Sequence, residues 1–327
     1  MLSFDDFRGQ SAHIEQLRID FSGGANVHAY LFSGPRGTGK RSVAQLCVMA
    51  ALCRGEKKPC GECGPCRRVL SGSHPDVHHV LPAKGKQSIG VDVLREAIEE
   101  VGVKSFEAGA KAMIFPEAHK MTPQAQNCLL KTLEEPPQGT VFFLITDQPG
   151  ALLPTIVSRC RVVRFHPLSQ EEAAARLCAL GLPQAEANQR ARMAEGCVGQ
   201  ALEIGEEQMA LRRSLSQAVF SIRRPGDVLA VVNAYKDDKE HQGQIMDMLE
   251  GIVRDILSAQ AGGAPLEGAG YAREAEAYAQ KAPMTSGLAL QRAVMRARMM
   301  LGSNVSFAAA LESILLVVSE EYTKWSW

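Results

Sequence analysis

Residues 34–41 match a phosphate-binding loop in every position but the last. The motif G-x-x-x-x-G-K-[ST] uses backbone amides and a lysine to hold phosphates, and the final hydroxyl to ligate Mg²⁺. The loop positions of interest are Gly34, Gly37, Thr38, Gly39 and Lys40. Arg41 occupies the hydroxyl position, and Ser42 comes one residue later. One residue turns a helix by about 100°, so the Ser42 hydroxyl is expected to point elsewhere. The sequence predicts an ATP-binding form that lacks a metal ligand.

A second candidate site consists of four cysteines, Cys53, Cys60, Cys63 and Cys66. Two C-x-x-C steps share Cys63, and glycines and a proline between the cysteines permit tight turns. Four thiolates satisfy the tetrahedral preference of Zn²⁺ and leave no open coordination position. We therefore expect a structural zinc rather than a catalytic one, against the alternative of four unrelated thiols.

The acidic motif that an ATPase carries after an apolar strand is altered. The expected pattern is a strand ending in Asp-Glu, where Asp binds the metal and Glu polarises water. Here the apolar residues 113–115 are followed by Pro116 and Glu117. A lone Glu in this position is typical of the start of a helix. We do not expect Glu117 to act as a base once the metal ligand is gone.

Arg159 lies between Ser158 and Cys160. An arginine among small residues is usually a surface ion pair. At a subunit edge, however, its permanently charged guanidinium would stabilise a phosphoryl group transferred on a neighbouring molecule. Spacing alone leaves both interpretations open.

The composition limits the class of protein. Lys+Arg and Asp+Glu both total 36, so the chain lacks the basic balance of a protein that binds DNA by itself. The nine cysteines come without a secretion signal, and no uncharged stretch approaches the length of about 18 residues that suggests a membrane span. We expect a cytoplasmic protein.

Strands alternate with helices up to about residue 165, which predicts a mostly parallel α/β sheet. The predicted strands are residues 29–32, 77–81, 112–115 and 141–145, and the predicted helices are 7–20, 42–53, 91–103 and 122–134. Beyond His166-Pro167 the predicted elements are helices, interrupted by Arg224-Pro225-Gly226 and by the glycine-rich loop 262–270. We predict an α/β domain over 1–166 with an inserted zinc module at about 53–66, a small helical domain over 167–207 and an all-α domain over 208–327.

Several motifs together resemble the AAA+ clamp-loader family of bacterial DNA polymerase III. They are the loop 34–40, the cysteine cluster, Ser73-His74-Pro75-Asp76, the stretch 90–96, the stretch 127–137 (NCLLKTLEEPP) and Ser158-Arg159-Cys160. The resemblance covers most of residues 1–205, and its most specific parts are residues 129–137 and 158–160.

The resemblance implies a RecA-like AAA+ domain, a helical lid and a helical collar domain that assembles a five-membered ring. It implies that Arg159 is an arginine finger acting in trans and that Thr146 senses the nucleotide. The lid of the family offers an Arg in a Gly-Ser-x-Arg pattern, but this chain has Gly199 in that place. The Mg²⁺ hydroxyl, the acidic metal ligand and the lid Arg are thus all missing, while the finger is retained.

We therefore predict a non-hydrolysing clamp-loader subunit of DNA polymerase III in the bacterial replisome at the nucleoid. Its implied partners are the gamma/tau and delta subunits of a hetero-pentameric ring, the sliding clamp, and primed DNA through the complex. ATP or ADP binding without turnover stays open at Lys40, with no Mg²⁺ site, or the loop survives only as a fold element. Two alternatives stay open: a gamma/tau-type ATPase, and a zinc-bearing nucleotide-binding interaction protein outside replication.

Overall fold

The structure is a computed structural model of the 327-residue chain. It describes residues 3–23, 27–102, 105, 110–238, 241–263, 271–303 and 305–325. The chain forms two compact units, one of Met1–Ala187 with Ala194–Ala201 and the other of Asn188–Met193 with Leu202–Trp327.

A parallel sheet forms the centre of the first unit. Within the described residues its strands are β1 (Ala29–Ser33), β2 (Val77–His79), β3 (Lys111–Phe115), β4 (Thr140–Thr146) and β5 (Arg161–Arg164). All pairings are parallel, in the order β2-β3-β4-β1-β5. Ser33 pairs with Thr146 on one side and with Arg164 on the other, so the carboxyl ends of three strands meet at one edge. Open parallel sheets bind ligands at this edge.

Helices cover both faces of this sheet. They are α1 (Ser11–Gly23), α2 (Lys40–Leu52), α3 (Gly64–Leu70), α4 (Val91–Gly102), α5 (Pro123–Glu134) and α6 (Pro154–Val157), with 3₁₀ helices at Phe4–Gln10, Ala118–Lys120 and Pro149–Ala151. A further helix, α7 (Gln170–Ala179), follows β5. Along β1, Tyr30 and Phe32 enter one core with residues of α2, while Ala29 and Leu31 enter the other core with residues of α4 and α5. Alternate side chains of a strand point to opposite faces, so a strand buried on both faces reads as a continuous apolar run.

The second unit is helical. Its helices are α10 (Glu206–Ser221), α11 (Pro225–Tyr235), α12 (Gln242–Gln260), α13 (Ala272–Lys281), α14 (Met284–Gly302) and α15 (Phe307–Lys324), while α8 (Gln184–Met193) and α9 (Val198–Glu203) have residues in both units. One apolar core runs through it, and the buried Tyr271 hydroxyl accepts a hydrogen bond from Arg212 and donates one to Asp255. None of the described helices is long and apolar enough to cross a membrane.

The predicted fold class is confirmed, and four of the strands lie where the apolar runs indicated. The predicted strand 77–81 ends at His79. Strand β5 was missed because three of its four side chains are exposed at the sheet edge and two are arginines, so it lacks an apolar run. The division into three domains stays a prediction.

Candidate functional site

The loop between β1 and α2 has the course of a phosphate-binding loop. Gly37 has a left-handed backbone (φ 80°), and a Cβ at this position would lie 2.6 Å from the Gln200 amide nitrogen. A Cβ on Gly34 would overlap the Phe165 carbonyl. The Thr38 hydroxyl donates to the Pro35 carbonyl oxygen over 2.8 Å. Glycine is required here for close backbone packing as well as for the turn.

Lys40 is folded onto its own loop. Its side chain is 7% exposed, and Nζ donates to the carbonyl oxygens of Gly34 and Pro35 over 2.6 Å each. Burial lowers the pKa of Lys40, and the negative charge of Asp147 partly opposes this effect. Among the described residues no carboxylate forms an ion pair with Lys40. A phosphate at this site would have to compete with two carbonyl oxygens for the ammonium group.

The positions that would hold a metal carry other chemistry. Arg41 is exposed in the first turn of α2. Pro116 follows β3 and offers no ligand, and Glu117 is paired with Lys120, whose Nζ lies 2.9 Å from its carboxylate. The hydrogen bond from Lys120 and the charge of Arg41 lower the pKa of Glu117. A carboxylate with a lowered pKa is a weaker base. That Glu117 does not activate water stays a prediction.

Thr146 ends β4 beside the loop and is 1% exposed. Its hydroxyl oxygen accepts from the backbone amide of Gln148 over 2.9 Å and lies 3.2 Å from Nδ1 of His119. His119 Nδ1 also lies 3.4 Å from the carboxylate of Asp147. The hydroxyl is thus engaged by its own turn, and nucleotide sensing by Thr146 stays a prediction.

The backbone of Gly199 packs directly on the loop. Its amide donates to the Gly37 carbonyl oxygen over 2.8 Å, and a Cβ on Gly199 would lie 2.9 Å from the Gly37 Cα. Where the family pattern places a guanidinium, this chain therefore has a glycine-to-glycine contact without room for a side chain.

Arg159 lies between α6 and β5, and its side chain bonds Glu134, which is 25 residues away in sequence. Its Nε donates to Glu134 Oε1 over 2.8 Å, Nη2 donates to the same oxygen, and Nη1 donates to the Thr155 carbonyl oxygen over 3.0 Å. The neighbouring Ser158 hydroxyl also donates to the Thr155 carbonyl oxygen, over 3.1 Å. Arg159 therefore forms the surface ion pair that is usual for such an arginine, and its side chain also remains partly exposed, as an arginine finger requires.

The chain around Arg159 is fixed on both sides. Cys160 and Ile156 are buried in the core, and burial raises the pKa of the Cys160 thiol to about 12. Arg161 donates to the buried carboxylate of Asp20 over 2.7 Å, which ties the start of β5 to α1. Cys160 is thus a neutral packing residue that anchors the turn.

Sequence reasoning missed two polar residues on α5 that support this region, Glu134 and Gln126. Glu134 is the partner of Arg159, and the buried Gln126 bonds the backbone of Ala151 and Leu153 just before α6. Glu134 lies in the stretch 127–137 that carried the resemblance, but no local pattern indicates which distant residue it contacts.

The structure brings the four predicted cysteines together. Their sulfur atoms lie within 4.8 Å of one another, between the end of α2 and the first turn of α3. The Cys53 sulfur accepts from the amides of Gly55 and Cys60 over 3.3 Å each. Backbone amides also lower the pKa of Cys60 to about 6, while burial raises that of Cys66. The four residues could hold a metal ion, as a tetrahedral thiolate site requires.

A parallel sheet with a phosphate-binding loop after β1 and an arginine before the edge strand β5 places the chain in the AAA+ class of P-loop proteins. The family described as "DNA polymerase III, delta subunit" matches residues 9–169. DNA polymerase III subunit delta' of Bacillus subtilis is 33% identical over 303 residues, which is 90% of this chain and 91% of that protein. Its counterpart in Escherichia coli is 34% identical over 226 residues, covering 67% and 68% of the two chains. The chain belongs to the DNA polymerase III subunit delta' family.

The chain is also similar to proteins named as tau or gamma subunits of DNA polymerase III. The tau subunit of DNA polymerase III from Bacillus subtilis is 36% identical over 176 residues, 53% of this chain and 31% of that protein. A solved structure of a DNA polymerase III gamma subunit-related protein from Thermotoga maritima aligns with a TM-score of 0.48 at 19% identity, over 94% of this chain and 99% of the other. The sequence match to subunit delta' of Bacillus subtilis covers 91% of that protein, whereas the match to tau covers 31% of its length, so the family assignment rests on subunit delta'.

Proposed function

We propose that this chain is a clamp-loader subunit of DNA polymerase III that does not hydrolyse ATP itself. In this proposal it supplies Arg159 in trans to the ATP held by a neighbouring ATPase subunit. The single observation that carries the proposal is the geometry of Arg159, a partly exposed guanidinium held on a fixed turn.

Three features of the chain's own nucleotide site support the absence of hydrolysis. Arg41 and Pro116 stand at the metal-ligand positions, and the Gly199 backbone fills the place of the lid arginine. Phosphoryl transfer depends almost entirely on positioning and charge neutralisation. Removing one preorganised stabilising group costs about 10²–10³ in rate. Three such losses in one site leave no reason to expect turnover.

The loop retains one capacity, weak binding of ATP or ADP. Its amides and Lys40 are in place, but Lys40 is held by the Gly34 and Pro35 carbonyl oxygens. Any nucleotide would bind without Mg²⁺ ligands from positions 41 and 116, because Arg41 and Pro116 cannot ligate the ion through their side chains.

The cysteine cluster is proposed to hold a structural Zn²⁺. Four sulfur atoms within 4.8 Å of one another, with amides directed at two of them, are the donor set that Zn²⁺ prefers. The cluster joins α2, which starts at the loop, to α3. The metal would therefore fix the far end of the helix that follows the phosphate loop.

The proposed partners follow from family membership. They are the gamma/tau and delta subunits in a hetero-pentameric ring, the sliding clamp that the ring loads, and primed DNA reached through the complex. The formal charge balance of zero supports shared rather than independent DNA contact. The proposed location is the replisome at the bacterial nucleoid.

The test compares single variants in a loader reconstituted with its partner subunits. Arg159→Ala is expected to reduce the DNA-stimulated hydrolysis that belongs to the neighbouring ATP site. Lys40→Ala is expected to leave that hydrolysis near the wild-type rate. Arg164→Ala, an exposed arginine of β5, serves as the matched control for loss of a surface charge.

Unchanged hydrolysis in Arg159→Ala would refute the role in trans. ATP turnover by the isolated chain, lost in Lys40→Ala, would refute the non-hydrolysing role.

A further inference from the structure

We infer that Glu134 is a positioning residue for Arg159, holding the guanidinium so that its free end faces a phosphate on the neighbouring subunit. This inference rests on the proposed function of Arg159. It concerns a carboxylate at the end of α5 that no motif assigns, 25 residues from the arginine in sequence.

The hydrogen bonds of Arg159 leave a defined pair of donors. A guanidinium has five N–H groups in a rigid fork. One oxygen of Glu134 takes the Nε donor and one Nη2 donor, and the Thr155 carbonyl takes one Nη1 donor. Among the described residues these are all the hydrogen bonds that Arg159 makes, so one N–H remains on Nη1 and one on Nη2.

The two remaining donors suit a phosphate. Nη1 and Nη2 form the end of the guanidinium, and guanidinium N–H groups make strong charge-assisted hydrogen bonds to phosphate oxygens. The Arg159 side chain is 35% exposed, so part of it faces solvent. Glu134 therefore orients the guanidinium without occupying the donors that the proposed reaction needs.

Glu134 stands on a rigid support. It is in the last turn of α5, whose residues Leu129 and Leu133 are buried in the core beneath the sheet. The Thr155 carbonyl comes from α6, and α6 is followed by the buried Cys160. Two elements thus fix three nitrogens of the same side chain, which removes rotamer freedom from Arg159 before a phosphate arrives.

Stability alone does not account for the pair. The side chain of Glu134 is 50% exposed, and pairs between partly exposed charges add little to folding. Positioning and stability therefore predict different results when Glu134 is changed.

The experiment uses the reconstituted loader with Glu134→Ala, Glu134→Gln, Glu134→Asp and Arg159→Ala chains. Glu135→Ala is the matched control, since Glu135 is the next residue and its exposed side chain lies outside the Arg159 pair. DNA-stimulated ATP hydrolysis at the neighbouring site, its KM for ATP, loader assembly and the thermal midpoint of each chain are measured.

Positioning predicts that Glu134→Ala lowers the hydrolysis rate without changing KM, assembly or the thermal midpoint. A displacement of about 1 Å costs about 10²-fold, so we expect a loss of about 10- to 100-fold. Glu134→Gln keeps an acceptor oxygen and Glu134→Asp keeps the charge, so both are expected to fall between alanine and wild type. In an Arg159→Ala background, Glu134→Ala is expected to cause no further loss of hydrolysis rate, because each change alone already removes the positioned guanidinium.

Several results would overturn the inference. A Glu134→Ala loader as fast as Glu135→Ala, or faster than wild type, would mean that the carboxylate does not help the arginine. A further loss in the Arg159→Ala background, or a lowered thermal midpoint, would indicate a structural role. Failure of the proposed role of Arg159 is recognised separately, because a loader that contains the Arg159→Ala chain would then hydrolyse ATP at the wild-type rate.

Discussion

Replacing Gln126 by alanine is expected to loosen the segment that leads to Arg159. Gln126 is 3% exposed on α5, and its Nε2 donates to the carbonyl oxygens of Met121 over 3.2 Å and Ala151 over 3.1 Å. Its Oε1 accepts from the Leu153 amide over 2.7 Å. The bonds to Ala151 and Leu153 tie the 3₁₀ helix Pro149–Ala151 and the residue before α6 to α5.

The magnitude follows from the groups left without partners. A buried polar group that loses its hydrogen bond costs about 1–3 kcal/mol. Ala151 is exposed, so its carbonyl can bond water, while Met121 is buried and Leu153 is partly buried. Counting the Met121 carbonyl and the Leu153 amide, we expect Gln126→Ala to lower the local opening free energy by about 2–6 kcal/mol.

Hydrogen exchange at the Leu153 amide measures this effect directly. A loss of 2 kcal/mol corresponds to about 30-fold faster exchange, since about 1.4 kcal/mol is a factor of ten. Gln124→Ala is the matched control, because Gln124 lies on the same helix and is exposed. Wild-type exchange at Leu153 in Gln126→Ala, or equal effects of the two variants, would refute the bridging role.

Two further predictions concern the metal cluster and the loop. Elemental analysis is expected to find bound zinc. Loss of this zinc in Cys66→Ser or on chelation is expected to destabilise α3 and the end of α2, since structural zinc contributes about 10–16 kcal/mol in small domains. Four thiols that react freely in a stably folded chain would contradict this prediction. Gly37→Ala and Gly72→Ala both place a side chain at positive φ (80° and 71°), which costs about 1–2 kcal/mol. Only Gly37→Ala adds a Cβ that would lie 2.6 Å from the Gln200 amide, whereas Gly72 has open space. We expect a clearly lower thermal midpoint for Gly37→Ala than for Gly72→Ala, and equal midpoints would show that the Gly199 segment does not pack on the loop.

Much of the candidate site was predictable because it is local in sequence. The strand 29–33, the glycine loop and α2 follow one another without interruption, so the sequence motif alone located Lys40 at the start of the helix. The four cysteines lie within residues 53–66, and the short turns between them bring the sulfur atoms close together. The losses at Arg41 and Pro116 are single letters in positions that the motif defines. The comparisons confirm the family, while the zinc ion and the arginine finger stay predictions.

The sequence by itself determined which residue types are present, which ATPase parts are missing and which family the chain joins. Only the tertiary structure decided what those residues contact. It set Lys40 against its own loop carbonyls, Gly199 on Gly37, and Glu134 beside Arg159. It also added β5 to the sheet, although that strand has few buried side chains. The physical reason is range: turns and periodicity are set by neighbouring residues, whereas an ion pair between residues 25 apart exists only after α5 and α6 have packed on the same core.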